Sequence, residues 1–209
     1  MEHITNTQNG IRIISQKQIH SSSINIVDRN TPLWQHADAM ITTEENLALV
    51  TFGADCCIIA FWKGDKIGVC HAGWQGYSLG LIKKMAKEFI GGQCYIGPFL
   101  HRFEIKKDHA YKAITEYSGE KFIHESGNKI FFDFRMAVRN EIFEVRVNED
   151  PRSTFDTSYL ASQLRDPTVL SEDEQNKLLV WRTGDNANVR LLRPDQDYKE
   201  FLKNFTLQQ

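Results

Sequence analysis

The stretch Ala54-Asp55-Cys56-Cys57-Ile58-Ile59-Ala60-Phe61-Trp62-Lys63-Gly64-Asp65-Lys66-Ile67-Gly68-Val69-Cys70-His71-Ala72-Gly73-Trp74 decides how this chain folds around its chemistry. Two short apolar runs, rich in β-branched and aromatic side chains, flank a Gly-Asp pair. That pattern predicts a hairpin, and glycine at the first turn position suits a type II′ turn. With Gly64 and Asp65 as the loop, Lys63 faces Lys66, Phe61 faces Gly68 and Ile58 faces His71. Cys56 lies two residues beyond Ile58 and shares the face of His71, at a diagonal backbone separation of roughly 7–8 Å. The thiol and the imidazole then converge on one metal ion or form one Cys–His pair. A three-residue loop would put them on opposite faces.

Outside the hairpin, residues 11–14 and 24–27 read as strands on either side of Gln18-Ile19-His20-Ser21-Ser22-Ser23, and 47–52 as another. After Trp74-Gln75-Gly76, the spacing of Ile82, Met85, Ala86 and Phe89 predicts an amphipathic helix over roughly 78–90. Cys94-Tyr95-Ile96 reads as a strand stopped by Gly97-Pro98. Asp108 and Asp133 stand where helix N-caps are expected, ahead of the apolar sets Ala110, Ile114, Tyr117 and Phe134, Val138, Ile142. A final helix carries Tyr198, Phe201, Leu202 and Phe205. Residues 151–177 are polar and weakly periodic and read as a solvated surface excursion. The irregular alternation points to a mixed α+β layered domain rather than a doubly wound parallel sheet.

A length of 209 residues fits a single domain spanning 1–209 with a full core. Lys plus Arg total 25 and Asp plus Glu 27, a formal net charge of −2. No sequence-wide field favours nucleic acid or an anionic membrane as partner. No apolar stretch approaches the ~20 residues needed to cross a bilayer. The start, Met1-Glu2-His3-Ile4-Thr5-Asn6, lacks the basic-then-apolar layout of a signal peptide, so a cytoplasmic address is expected. The cysteines at 56, 57, 70 and 94 make no disulfide framework, and Cys57, Cys70 and Cys94 read as buried, inert thiols. Of the seven histidines (3, 20, 36, 71, 101, 109 and 124), the hairpin register singles out only His71 as a ligand. His20 and His36 remain competing candidates on spacing alone. None of the seven forms the His-x-His pair common in multicopper oxidase sites.

Gln18-Ile19-His20-Ser21, Ala37-Asp38-Ala39-Met40-Ile41-Thr42, Ala54-Asp55-Cys56, His71-Ala72-Gly73-Trp74 and Ile96-Gly97-Pro98 occur in an order that resembles the YfiH-like, or laccase-domain, family over roughly residues 17–145. The resemblance implies a layered α-β-β-α sandwich of mixed sheets flanked by helices. It implies one zinc ion held by His20, Cys56 and His71, which would then be the catalytic residues. It also implies purine nucleoside chemistry with phosphate as co-substrate, since family members are described as zinc-dependent purine nucleoside phosphorylases with adenosine deaminase activity. Other members are labelled polyphenol oxidases or peptidoglycan-editing hydrolases. Copper is expected in such an N/S site only as an adventitious occupant.

The chain departs from the family pattern in places. Gln75-Gly76 stands where the family usually has Arg-Gly, which removes a bidentate anion clamp from a residue expected to bind substrate. Only 19 residues precede His20 where the family commonly has several tens. Phe99 replaces a frequent Cys, and the late motifs survive only as Trp181-Arg182 and Thr183-Gly184-Asp185, so the part beyond about 150 is divergent. The leading expectation is a zinc-dependent nucleoside phosphorylase or deaminase. The His-x-Glu and Pro-Cys-x-x-Cys pattern of cytidine-deaminase-type enzymes is missing. A second reading keeps Cys56 as nucleophile and His71 as base of an amide hydrolase without metal. A third is a non-catalytic binder of a nucleoside or of zinc.

Overall fold

The computed structural model describes residues 11–196 apart from 159, 170, 185 and 195. Along the chain run β1 (Arg12–Ile14), β2 (Ile24–Ile26), β3 (Ala39–Thr42), β4 (Leu47–Gly53), β5 (Cys57–Lys63) and β6 (Lys66–Ala72). The helices α1 (Trp74–Ser78) and α2 (Leu81–Glu88) follow, then β7 (Gln93–Ile96), β8 (Arg102–Ile105) and α3 (His109–Ser118). Next come β9 (Ile123–Ser126), β10 (Lys129–Asp133), α4 (Phe134–Glu141), β11 (Arg146–Glu149), β12 (Asn176–Thr183) and β13 (Asn186–Leu192).

The hairpin forms in the register that its sequence dictates: Lys63 pairs with Lys66, Phe61 with Gly68 and Ile58 with His71. Gly64 takes a positive φ of 55° while Asp65 does not, as a type II′ turn requires. β5 and β6 form the centre of a six-stranded sheet ordered β11-β7-β5-β6-β3-β2. A four-stranded sheet, β1-β4-β12-β13, stacks on one face of it, and a separate three-stranded sheet, β8-β10-β9, contributes Ile105 and Phe132 to the helix-side core. Strand parity divides the hairpin's side chains between two cores. Ile58, Ala60, Ile67 and Val69 meet Leu49, Leu178 and Val180 between the two larger sheets. Ile59, Phe61 and Cys70 face the helices, where Met85, Phe89, Ile114 and Val138 cover them. His71 follows the parity of Val69, so the imidazole lies on the sandwich-facing side at the strand's end.

All four helices among the described residues share the core on the outer face of the six-stranded sheet. The helix expected over roughly 78–90 forms as α2, starting later at Leu81, because Gly80 at φ 73° separates it from the short α1 that precedes it. The two expected N-caps do cap. Asp108 accepts from the Ala110 amide and Asp133 from the Met136 amide. The expected helix around Tyr198–Phe205 lies outside the described residues. The excursion at 151–177 is corrected, since Thr154, Leu160, Ala161 and Ser162 are buried although Leu164 is exposed. Beyond it, β12 pairs along the length of β4 at the middle of its sheet, so the divergent part completes the sandwich.

Close backbone approach explains one glycine in particular. A Cβ on Gly92 would sit 2.5 Å from the Trp62 carbonyl oxygen and 2.8 Å from the Lys63 Cβ. Gly92→Ala must therefore separate the β5–β6 turn from the chain entering β7, and we expect it to destabilise the fold by about 1–3 kcal/mol. Urea denaturation checks this. A change within about 0.5 kcal/mol, typical of a neutral surface substitution, would refute the close-packing argument.

Candidate metal centre

Three side chains from three separate elements converge where β5 and β6 end. His71 is the penultimate residue of β6, Cys56 sits in the bend between β4 and β5, and His20 comes from the loop between β1 and β2. Their donor atoms all lie within 4.8 Å of one another, the one such His/Cys/Asp/Glu group among the described residues. Cys56 Sγ is 3.7 Å from His20 Nε2. The two imidazoles meet edge to face at a centroid distance of 5.0 Å. Tetrahedral zinc with bonds of about 2.0–2.3 Å spaces its donors by about 3.5 Å, so the set fits a metal of that size. Gly73 leaves the room: a Cβ there would come 2.9 Å from Cys56 Sγ and 3.3 Å from His20 Cδ2.

Asp38 holds the arrangement together, a role that the sequence reading did not assign. Its residue precedes β3, and the β3–β6 register sets it beside His71, whose amide donates to the Asp38 carbonyl at 2.7 Å. The fully buried carboxylate bonds His71 Nδ1 at 3.0 Å, which leaves Nε2 of that ring to act as ligand. The same carboxylate accepts from the amides of Ile19, His20 and Ser21 and from the Ser21 hydroxyl. That wrap holds His20 at φ 60°, a left-handed conformation that a histidine adopts at some cost. The sequence signal was a single acid inside the apolar run Ala37-Asp38-Ala39-Met40-Ile41.

The electrostatics follow from this packing. Burial alone would raise the Asp38 pKa, but the hydrogen bonds from His71 and Ser21 hold it down to about 2. Burial would likewise raise the Cys56 thiol, yet the His71 charge and the hydrogen bonds from His20 and His71 lower it to about 6. Burial opposes protonation of His71, whereas the Cys56 charge and the Asp38 bond raise it to about 9. A thiolate–imidazolium pair is thus the ground state between about pH 6 and 9 without metal. Cys57 and Cys94 behave oppositely: burial pushes Cys57 well up and Cys94 to about 12. Burial raises Cys70 as well.

The other sequence candidates lie elsewhere. His36 is exposed and bridges Lys17 through its backbone. His109 meets Trp74 edge to face, and His101 packs half-buried against Phe99. Gln75 is exposed on α1, a separate helix of 5 residues that precedes α2. Asp55 is a structural partner, accepting from the Thr154 hydroxyl and the Leu164 amide.

The family model described as multi-copper polyphenol oxidoreductase laccase matches residues 2–163. The chain belongs to that family. Among its curated relatives, a purine nucleoside phosphorylase of Rickettsia prowazekii is 30% identical over 169 residues, which cover 75% of this chain and 70% of the relative. One from Rickettsia conorii is 30% identical over 161 residues, covering 69% of this chain and 65% of the relative. Solved structures of the same fold include the hypothetical protein YfiH of Bacillus licheniformis, with a TM-score of 0.65 at 19% identity over 74% of this chain and 69% of that one. YlmD of Geobacillus stearothermophilus has a TM-score of 0.65 at 18% identity, over 80% of this chain and 71% of that one. These likenesses establish the layered α+β architecture of the family for this chain. No helix among the described residues is long and apolar enough to cross a membrane.

Thiol chemistry offers a direct check on the electrostatics. The thiolate is the reactive form, so alkylation of Cys56 in metal-free protein should rise through a midpoint near pH 6. An ordinary thiol would titrate near about 8.5. Iodoacetamide labelling followed by peptide mass mapping reads this out, with Cys57, Cys70 and Cys94 unlabelled. A Cys56 midpoint above 8 would show that His71 does not charge beside it.

Proposed function

We propose that this chain is a zinc-dependent enzyme that processes purine nucleosides, of the nucleoside phosphorylase or adenosine deaminase type. The observation that carries the reading is the convergence of His20, Cys56 and His71 within 4.8 Å. Three protein donors leave one coordination position for water or substrate, the mark of a catalytic zinc site; a structural site would close with a fourth ligand. The relatives named purine nucleoside phosphorylases support the substrate class. Imidazole and thiolate suit zinc, and copper would bind the same donors adventitiously. When bound, zinc supplies a Lewis acid that polarises an oxygen or lowers the pKa of a coordinated water to about 7.

The chain's own residues define the rest. Asp38 holds the Nδ1 proton of His71 and fixes the ring's direction, as carboxylates behind metal-bound histidines do. Its ionisation persists down to about pH 2, so it remains an acceptor throughout the working range. Gly73 lets the Cys56 and His20 side chains pack against the backbone, in space that a Cβ would contest. Gln75, two residues further on, offers neutral amide donors to a phosphate or a ribose hydroxyl. A guanidinium there would add charge-assisted bonds roughly twice as strong as neutral ones. Phosphorolysis is therefore weak in this chain, and any purine activity leans toward deamination or hydrolysis.

One observation favours a second reading, a cysteine amide hydrolase without metal. Asp38, His71 and Cys56 form an acid–imidazole–thiol chain in which Cys56 is ionised near neutrality. The thiolate would attack an amide carbonyl, and His71 would give its proton to the departing amine. Activity that survives complete removal of metal would favour this reading over the zinc enzyme.

Elemental analysis of the purified chain should find about one zinc per protein, as three-donor sites of this kind hold a single ion. Cys56→Ser should lose most of it. Cys57→Ser, Cys94→Ser and His36→Ala should keep it. Full zinc retention by Cys56→Ser, or loss in His36→Ala with retention in His20→Ala, would overturn the ligand assignment.

Gln75→Arg should raise phosphate-dependent cleavage of inosine without changing zinc content. The measurement is initial rate against phosphate concentration for both proteins, alongside phosphate-independent turnover of adenosine. Equal, phosphate-saturable rates would show that the glutamine is harmless and that ordinary phosphorolysis operates.

A further inference from the structure

We infer that Asp55 and the segment 153–165 position Cys56, so that residues beyond 150 belong to the functional site. The reasoning begins with the backbone. Cys56 lies in the bend between β4 and β5, one residue before the β5–β6 ladder starts at Cys57, so the sheet does not hold it. The bend is fixed from outside instead. Thr154 Oγ1 donates to Asp55 Oδ1 at 2.7 Å, and the Leu164 amide donates to Oδ2 at 2.8 Å. The Leu100 amide reaches the Asp55 carbonyl at 2.9 Å. On the other flank, Asn176 Nδ2 donates to the Gly53 carbonyl at 3.0 Å. Apart from Leu100, every donor comes from beyond residue 150.

The segment that supplies these donors is organised rather than loose. Arg165 gathers the carbonyls of Thr154, Phe155 and Thr157 at 2.6, 3.0 and 3.1 Å, and that of Leu160. Asn176 also exchanges hydrogen bonds with the Ala161 backbone in both directions. Thr154 is fully buried, and its hydroxyl bond to the half-buried Asp55 is partly screened from water. Hydrogen bonds to a charged acceptor are stronger than those between neutral groups. Two of them converge on the carboxylate next to Cys56. A metal or nucleophile site functions only when its side chains are held within about 0.5 Å, and the Asp55 clamp supplies that restraint from nearly a hundred residues away.

The inference uses the reading of Cys56 as a working thiol, and the test separates the two. Thr154→Val, nearly isosteric but without the donor, and Asp55→Asn are made in the full chain, with Thr154→Ser restoring the hydroxyl. Zinc affinity is measured by competition with a chromophoric chelator, Cys56 alkylation in metal-free protein at pH 7, and folding by thermal melting. Folded Thr154→Val and Asp55→Asn should bind zinc about tenfold more weakly, the loss typical of groups that support a ligand. They should also alkylate Cys56 more slowly, as the thiolate loses its place beside His71. Thr154→Ser should recover both. Lowered melting temperature with unchanged affinity and unchanged alkylation in the folded variants would overturn the inference and leave the clamp a purely structural tie. If Asp55→Asn does not fold, Thr154→Val decides. If the unmodified chain itself takes up no zinc, the metal reading falls while the alkylation comparison still judges the positioning.

Discussion

The buried carboxylate of Asp38 is the constraint on which the site depends. It is charged, shut off from water and placed among apolar neighbours, so it is tolerable only if its oxygens are satisfied. Three backbone amides, one hydroxyl and one imidazole satisfy them. The amides can reach it only if the chain folds back at Ile19–Ser21, and that fold forces His20 into a left-handed conformation costing roughly 1–2 kcal/mol. Hydrogen bonds to a charged acceptor exceed that cost. One anion thus fixes two of the three candidate ligands, and it does so from a residue that need not touch metal or substrate.

The third ligand is fixed by a different anion. Asp38 acts through the β3–β6 register, a constraint within the six-stranded sheet. Asp55 acts through a loop that closes between the two larger sheets. His20 and His71 are therefore built by the first half of the chain, whereas the bend at Cys56 is complete only when the last strands have docked. The thiolate–imidazolium pair spans these two halves, and its electrostatics, with the thiol drawn down and the imidazole drawn up, require both.

The legible part of this molecule is the part in which partners are close in sequence. The β5–β6 hairpin could be read to the residue, because a two-residue turn with glycine first leaves a single register, and the register put Cys56 and His71 on one side. The caps at Asp108 and Asp133 were legible for the same reason, since a cap bonds amides two or three residues away. The helix around 78–90 was legible from Ile82, Met85, Ala86 and Phe89, but that spacing registers neither the left-handed turn at Gly80 nor the separate α1 before it. β12 and β13 pair with each other as a local hairpin, but β12's other partner lies more than a hundred residues back in β4, and polar residues ahead of β12 mask the onset of the strand. The burial of Thr154, Leu160, Ala161 and Ser162 is not legible locally, because exposed residues lie among them and their hydrogen-bonded anchors include Asp55, about a hundred residues away. Asp38 was quoted as part of a motif, but nothing local could show that its carboxylate meets an imidazole at position 71.

The family description speaks of several coppers, while the donor count in this chain supports one ion. Electron transfer among copper centres needs a separate set of imidazoles for each, and the seven histidines here form no His-x-His pair. Among the described residues, three donors form the only such group, and His101, His109 and His124 are engaged with Phe99, Trp74 and Asp133. A single N,S,N site suits chemistry in which the metal polarises a bond or a water and keeps its oxidation state. The ionised thiol points the same way. A cysteine already drawn to a pKa of about 6 by its neighbours binds a cation without first having to lose a proton at neutral pH. The imidazolium opposite would have to give one up before its Nε2 could hold a metal, and the buried Asp38 would remain to share the charge.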